Sequence, residues 1–207
     1  MPIRSLAVPG LPFPLEAAGA AAPVAPVVVG GEVRLTAAPG ADLFLDPKGA
    51  SDPRPDAERW TAPVQGDFQL QAHVAAGFAT DFDSGVLLGW FDDDTWFKAC
   101  AERDPSGMTR VVSVVTRDGA SDDCDSWPID STGTYLRISR FGAAFALHAS
   151  TDAQNWNMVR YFRLGRPAAE PVRVGFVAQS PAGQGTWATF RDIRFSRSTL
   201  GAVRDGS

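Results

Sequence analysis

The chain has 207 residues, of which 44% are hydrophobic and 21% charged, and its formal net charge is −5. A chain of this length and hydrophobicity can bury one sizeable core, so we expect a single soluble domain. The 19 basic residues are scattered among 24 acidic ones without forming a cluster. Because nucleic acids and anionic membrane surfaces are bound through concentrated positive charge, neither is an expected partner.

The N-terminal segment is apolar but repeatedly interrupted by proline. Five prolines fall between Pro9 and Pro26, and proline breaks the continuous helix that signal peptides and membrane spans require. We therefore predict no export signal and no membrane span. Residues 1–31 are interpreted as an arm that packs on or flanks the domain, and residues 32–207 as one β-sandwich domain.

The chain contains only two cysteines, Cys100 and Cys124. This number is typical of free thiols in a reducing compartment rather than of a disulfide framework, which predicts a cytoplasmic protein. A single bridge between the two residues is the alternative.

Short segments rich in Val, Phe, Trp and Thr alternate along the chain with clusters of Gly, Pro, Asp and Ser, a pattern that indicates strands joined by turns. The predicted strands, in chain order, are Val27–Val29, Val33–Ala37, Phe68–Val74, Gly85–Phe91, Trp96–Arg103, Thr109–Arg117, Asp125–Ile129, Tyr135–Arg140, Ala143–Ser150, Asn157–Leu164, Val172–Ala178 and Thr186–Phe195. Sixteen prolines and twenty glycines leave little room for a long helix. The pattern predicts an all-β, two-sheet sandwich rather than an α/β fold.

The most informative segment is the predicted hairpin that ends at Glu102. Side chains alternate across a strand, so Trp96, Lys98 and Glu102 share one face. On the next strand, Ser113 and Arg117 are expected to join that face.

The partners of this face depend on the hairpin register. With a two-residue turn at Asp92-Asp93, Asp83 lies opposite Glu102. Gly85 and Gly89 then lie on the same face and, because they carry no side chain, leave space there. A register one residue longer would replace the glycines with the large residues Val86, Leu88 and Trp90.

An aromatic ring beside a lysine and carboxylates predicts a carbohydrate site. Sugar rings place their C–H faces on Trp, while carboxylate and ammonium groups bind the hydroxyls. In the alternative interpretation, Lys98 and Glu102 form a solvated ion pair and Trp96 covers the edge of the core.

A set of segments spanning about residues 33–197 resembles, in order, the DUF1349 family. The segments are Asp42–Lys48, Gly66–Leu70, Asp83–Leu88, Trp96–Ala99 with Glu102, Ser113–Arg117, Ser121–Cys124 and Ala149–Asp152 with Trp156. The resemblance implies a concanavalin A-like lectin/glucanase fold, which is a two-sheet antiparallel jelly-roll sandwich with one concave sheet, and a carbohydrate-related setting. The family has no settled activity, so the resemblance assigns no catalytic residues. Its recurring Trp/Lys/Glu pattern corresponds to Trp96, Lys98 and Glu102.

An enzyme is the second hypothesis. Retaining glycoside hydrolases use two carboxyl groups about 5–5.5 Å apart. Glu102 stands alone on its strand, and Asp83 is the best candidate for a second carboxylate. These two residues are therefore the candidate pair of a sugar-active enzyme.

Acidic clusters raise the question of a metal. Asp122 and Asp123 are candidate ligands of a structural Ca²⁺, but the spacing of a calcium loop is absent, and a solvated turn is the alternative. The same alternative applies to Asp42, Asp46 and Asp52. No other cofactor is expected.

The leading hypothesis is a lectin-like module that binds a carbohydrate, or a related small polar ligand, in the groove of the concave sheet, without catalysis. Trp96 stacks on the sugar, and Lys98 and Glu102 bind its hydroxyls. The groove is expected to be lined further by Asp83, Ser113, Arg117 and Asp123. A third hypothesis is a protein-interaction or homodimerising sandwich whose groove is buried against a partner or a second copy.

Overall fold

A computed structural model describes residues 4–49 and 56–207, and within these ranges the chain forms strands and no helix. The strands are β1 (Ser5–Leu6), β2 (Leu15–Ala18), β3 (Val27–Val29), β4 (Glu32–Ala37), β5 (Arg59–Val64), β6 (Phe68–Ala76), β7 (Ser84–Asp92), β8 (Thr95–Arg103), β9 (Thr109–Arg117), β10 (Ala120–Pro128), β11 (Thr134–Phe141), β12 (Ala144–Ser150), β13 (Asn157–Arg163), β14 (Val172–Gln179) and β15 (Thr186–Ser196).

The strands form two antiparallel sheets. One has eight strands in the order β1-β2-β5-β14-β7-β8-β9-β10, and the other has seven in the order β13-β12-β11-β6-β15-β4-β3. The predicted all-β, two-sheet antiparallel sandwich is therefore confirmed. The part of the chain that the structure describes holds no helical segment with the length and hydrophobicity needed to cross a bilayer.

The core lies between the two sheets and follows from side-chain alternation. In β6, Phe68 and Leu70 are fully buried, whereas Gln69 and Gln71 alternate with them and remain partly exposed. Phe176 of one sheet meets Phe190 of the other with ring centroids 4.6 Å apart. Burying each such ring contributes about 1.5–3 kcal/mol, so this interface supplies the main driving force for sandwich formation.

The register of the β7–β8 hairpin differs from the predicted one. Asp92 pairs with Thr95 and Trp90 pairs with Trp96, with an irregularity between them that leaves Phe91 as an extra residue. Glu102 therefore lies opposite Ser84 rather than Asp83. The predicted register is wrong, and the longer alternative, with Trp90 on the same face as Trp96, is the one that forms.

The glycines of β7 explain why the longer register forms. A Cβ built on Gly89 would lie 2.1 Å from the Phe97 ring, and one on Gly85 would lie 2.6 Å from a methyl group of Val74. Both glycines thus make room for large side chains in the core between the sheets. In the predicted register, this free space would lie on the opposite face of the sheet.

The N-terminal segment adds strands to the edges of both sheets. β2 pairs with β5, β1 pairs with β2, and β3 pairs with β4. β5 is absent from the predicted strands because Pro63 interrupts its pattern. Proline is tolerated there because β2 contacts only Arg59–Thr61, so β14 is the single neighbour at Pro63.

Candidate functional site

Residues 41–45, hereafter the strap, cross the outer face of the eight-stranded sheet. At one end, the backbone N–H of Ser180, just past β14, donates to the carbonyl of Ala41 at 2.9 Å. At the other end, Leu45 N–H donates to the Ser121 hydroxyl of β10, and Ser121 N–H donates to the Leu45 carbonyl, both at 2.9 Å. Because its two ends are bound to β14 and β10, the strap divides this face into two cavities.

The larger cavity, hereafter the Lys98 cavity, has a volume of about 330 Å³. Its lining combines charged or amide groups with apolar walls. The polar residues are Asp42, Lys98, Glu102, Asp123 and Gln179, and the apolar ones are Phe44, Phe82, Val114 and Pro181. The cavity therefore offers both hydrogen-bonding groups and aromatic surface to a small ligand.

The smaller cavity, of about 200 Å³, lies on the other side of the strap and contains Trp96. Trp96 is only 1% exposed and stacks on Trp90, with centroids 5.9 Å apart and planes inclined by 10°. The guanidinium of Arg59 lies 4.0 Å from the centre of the Trp90 ring. The sequence hypothesis gave Trp96 to the ligand, but in the structure its ring is packed against the protein.

A hydrogen-bonded relay fixes Lys98 within its cavity. The ammonium group of Lys98 donates to Oε1 of Gln179 at 3.1 Å, and Nε2 of Gln179 donates to Oδ1 of Asp42 at 2.7 Å. The backbone N–H of Leu43 donates to the same oxygen of Asp42 at 2.7 Å. The relay links strap, β14 and β8, and holds a buried cation at the base of the cavity.

The charges in the cavity perturb one another. Burial acts to lower the pKa of Lys98, but nearby acidic groups outweigh it and hold that pKa above its usual value. Burial, reinforced by the carboxylates of Asp123 and Asp42, raises the pKa of Glu102 to about 8 against the opposing effect of Lys98. Burial also raises the pKa of Asp123. The described lining of the cavity thus contains more carboxyl groups than ammonium groups.

Glu102 and its cross-strand neighbour carry unused hydrogen-bonding capacity. Ser84 pairs with Glu102 on one side and with Gln179 on the other, so the three side chains share one row of the outer face. The hydroxyl of Ser84 is buried and has no hydrogen-bond partner among the described residues. Over the same ranges, the carboxylate of Glu102 accepts no hydrogen bond.

The acidic segment after Gly119 is a strand and not the solvated turn that the sequence suggested. Within β10, Asp123 faces the Lys98 cavity, whereas the carboxylate of Asp122 accepts from Arg160 at 2.8 Å. Strand alternation thus separates the two candidate Ca²⁺ ligands. Residues 4–49 and 56–207 contain no group of three or more His, Cys, Asp or Glu side chains arranged to hold a metal. Asp52 lies outside these ranges.

Three other candidate residues do not line the cavity. Asp83 is fully buried, and its carboxylate accepts from the backbone N–H groups of Ala79 and Thr80 and from the Ser180 hydroxyl. Ser113 pairs with Ala99 and is fully buried on the core side of the sheet.

Arg117, the third of these residues, lies at the end of β9, and its Nε donates to the carbonyl of Arg163 at 3.1 Å. Of the predicted groove residues, the structure therefore brings together Lys98, Glu102 and Asp123.

Sequence reasoning missed Phe82, Asp42 and Gln179. Phe82 is 41% exposed at the cavity and has a φ of 68°, in the left-handed region that bulky residues avoid. Its backbone N–H donates to the carbonyl of Arg103 at 2.7 Å, which holds it there. A positive φ leaves no mark in the sequence, and Asp42 comes from a loop that the pattern assigned to solvent.

Both cysteines are free in the structure, which shows no bridge between them. Cys100 is fully buried between Lys98 and Glu102 along β8, and burial raises the pKa of its thiol well above the usual value. Cys124 is partly exposed.

Comparison with known proteins agrees with the fold. Residues 22–198 match the model of the family described as "Protein of unknown function (DUF1349)", which confirms the resemblance found in the sequence. No curated protein matches the chain in sequence.

Solved structures with a similar sandwich include a functionally unknown protein from Saccharomyces cerevisiae. It is 22% identical, with a TM-score of 0.76, and the match covers 88% of this chain and 96% of that one. A legume lectin-like domain from Entamoeba histolytica matches at 10% identity and a TM-score of 0.52, covering 89% and 90% of the two chains.

A xylan β-1,4-xylosidase from Bacillus halodurans C-125 matches at 14% identity and a TM-score of 0.62. The match covers 80% of this chain but only 33% of the xylosidase. At these identities the three similarities establish the fold, a two-sheet sandwich that a lectin-like domain and a part of a xylosidase share.

Proposed function

Since this chain belongs to the DUF1349 family, whose description assigns no function, we propose a function from the site itself: the Lys98 cavity binds a small carbohydrate or a related polyhydroxylated ligand. The ligand enters between the strap and Phe82. Lys98 donates to its oxygens, and Glu102 and Asp123 accept from its hydroxyls.

The observation that carries this proposal is the unused hydrogen-bonding capacity next to an apolar wall. An ammonium group has three N–H donors, and among the described residues only one of those of Lys98 is used, by Gln179. The Glu102 carboxylate, which lines the same cavity, has no hydrogen-bond partner among these residues. A ligand that supplies hydroxyls at this place therefore gains hydrogen bonds from Lys98 and to Glu102.

The dimensions and walls of the cavity support a sugar of limited size. A volume of about 330 Å³ lies at the lower end of the range of small-molecule pockets. Phe82 offers an exposed aromatic ring at this cavity, and Phe44 extends into it from the strap. An apolar ring face and polar groups side by side match the two kinds of surface of a pyranose. Phe82 thus takes the stacking role that the sequence analysis gave to Trp96.

The similar folds are compatible with this ligand class. A lectin-like domain and a part of a xylosidase share the sandwich, although the chain spans only a third of the xylosidase. These similarities set a carbohydrate context, and the cavity residues carry the argument.

Asp83, the second carboxylate that the enzyme hypothesis requires, is not available for catalysis. Both oxygens of Asp83 are used in bonds to Ala79, Thr80 and Ser180, and the side chain is inaccessible. Asp83 therefore cannot serve as nucleophile or base beside Glu102, and we do not propose hydrolysis by this pair.

A glycan array that includes monosaccharide and disaccharide probes, followed by calorimetric titration of the hits, tests the proposal. We expect binding of a short glycan, with affinity reduced about tenfold or more in Phe82→Ala and in Glu102→Ala. Tyr161→Ala is a matched control, because Tyr161 is a 55% exposed aromatic residue on the other sheet. Silence across the array, or binding that Phe82→Ala leaves unchanged, would overturn the proposal and favour a protein-interaction module.

A further inference from the structure

The charges that face the Lys98 cavity are unequal in number. Three carboxylates, those of Asp42, Glu102 and Asp123, line it together with the single ammonium of Lys98. Asp125, two residues beyond Asp123 on the same face of β10, adds further negative potential.

One carboxylate is already matched by the protein. Gln179 connects the Lys98 ammonium to Asp42, so these two opposite charges belong to one hydrogen-bonded relay. Asp42 also accepts from the backbone N–H of Leu43. The positive charge of Lys98 is therefore largely balanced by Asp42 within the wall of the cavity.

The other two carboxylates have no cation of their own. Arg110 lies opposite Glu102 in the β8–β9 ladder, but its guanidinium pairs with Asp104 and also donates to the Ser126 carbonyl. Neither Glu102 nor Asp123 takes part in an ion pair within residues 4–49 and 56–207. With all three carboxylates ionised the cavity would lack two positive charges, and with one of them protonated it lacks one.

We propose that the preferred ligand supplies this charge: an amino sugar, whose ammonium group binds between Glu102 and Asp123 while its hydroxyls engage Lys98. This inference deepens the carbohydrate-binding function proposed above and rests on it. Phe44 and Phe82 support the same choice, because the faces of aromatic rings attract a cation.

In the absence of ligand, protonation of Glu102 reduces the excess negative charge of the cavity. Burial and the neighbouring carboxylates raise the pKa of Glu102 to about 8, so near neutrality Glu102 is mostly protonated. The other charged or ionisable groups that act on it are Lys98, Cys100, Asp42, Asp123 and Asp125. An incoming ammonium favours the ionised carboxylate and lowers its pKa. The proton of the carboxyl group then passes to solvent, and the ammonium takes its place.

This exchange discriminates between ligands of similar shape. A neutral sugar gains the hydrogen bonds but leaves Glu102 protonated and Asp123 unpaired. An acidic sugar adds a negative charge beside these two carboxylates and is repelled. The expected order of affinity is therefore amino sugar, neutral sugar, uronic acid.

Calorimetric titration with glucosamine, N-acetylglucosamine, glucose and glucuronate tests the inference, at about pH 6.5, where an amine with an ordinary pKa is protonated. Repeating the titration in buffers of different ionisation enthalpy measures proton release. We expect glucosamine to bind about tenfold or more tightly than N-acetylglucosamine and glucose, with release of a fraction of a proton, and glucuronate to bind weakest.

Glu102→Gln is expected to abolish the proton release, and Asp123→Asn to reduce the preference for glucosamine several-fold. Asp122→Asn is the matched control, since the Asp122 carboxylate pairs with Arg160 outside the cavity. Equal affinity for glucosamine and N-acetylglucosamine would overturn the inference while leaving sugar binding intact. Equal affinity for 1,4-diaminobutane would overturn its sugar component, and no binding of any probe would overturn the proposed function as well.

Discussion

Trp96 stacks on Trp90 across the β7–β8 ladder, with ring centroids 5.9 Å apart. Only 1% of Trp96 is exposed, so its ring contributes to packing beneath the strap. We expect Trp96→Ala to lower the free energy of unfolding by about 3–5 kcal/mol, the usual cost of removing a buried aromatic side chain. Urea denaturation measures this loss. A change below about 1 kcal/mol, well under that usual cost, would contradict the packing role.

Phe82 is expected to behave in the opposite way. Because it is 41% exposed and lies at the cavity, Phe82→Ala should weaken ligand binding and change stability little. Its φ of 68° is unfavourable for any residue with a Cβ, so Phe82→Gly should be more stable than Phe82→Ala by about 1 kcal/mol. Thermal or urea denaturation of the two variants tests this difference. Equal stability would show that the left-handed backbone carries no strain.

Asp83 is expected to act on stability and not on the ligand. Its carboxylate caps the N–H groups of Ala79 and Thr80 and accepts from the Ser180 hydroxyl. Asp83→Ala leaves these donors, of which the Ser180 hydroxyl is buried, without their partner, which should cost about 1–3 kcal/mol of unfolding free energy. Affinity for a glycan probe in the folded variant should change less than twofold. A large loss of affinity at unchanged stability would instead show that Asp83 takes part in ligand binding.

Glu102 should make stability depend on pH. Its pKa is raised from 4.5 to about 8, so the folded protein holds this proton more tightly than the unfolded chain does. The stabilising contribution is therefore fully present below about pH 4.5 and is lost as the pH rises through 8. Glu102→Gln carries no titrating group. The stability of the variant relative to the native protein should thus increase between about pH 5 and 8, as measured by urea denaturation.

The fold could largely be predicted from the sequence. Alternation in segments such as Phe68–Val74 produces one buried and one partly exposed face, and that pattern survives in the structure. β5 was not predicted because Pro63 breaks its strand pattern. The sheet tolerates this proline because β2 does not extend along β5 as far as Pro63. The extent of the β2–β5 pairing is a property of the assembled sheet and cannot be read from the sequence of β5 alone.

The candidate site was only partly predictable. Lys98 and Glu102 share a face because they lie four residues apart on one strand, and any register preserves this relation. Their neighbours depend on the register, which the extra residue Phe91 shifts by one position. As a result, Ser84 and not Asp83 lies opposite Glu102. Asp42 and Gln179 come from segments far apart in the chain, so no local pattern could connect them.

The strap also determines how a ligand can approach. It runs across the sheet from β14 to β10 and is bound at both ends, so it obstructs the length of the surface along which a polysaccharide would otherwise lie. What remains open on one side of the strap is a cavity of about 330 Å³. Under the proposed function, the expected ligand is therefore a free monosaccharide or the last residue of a chain, because an internal segment of a polymer would have to cross the strap.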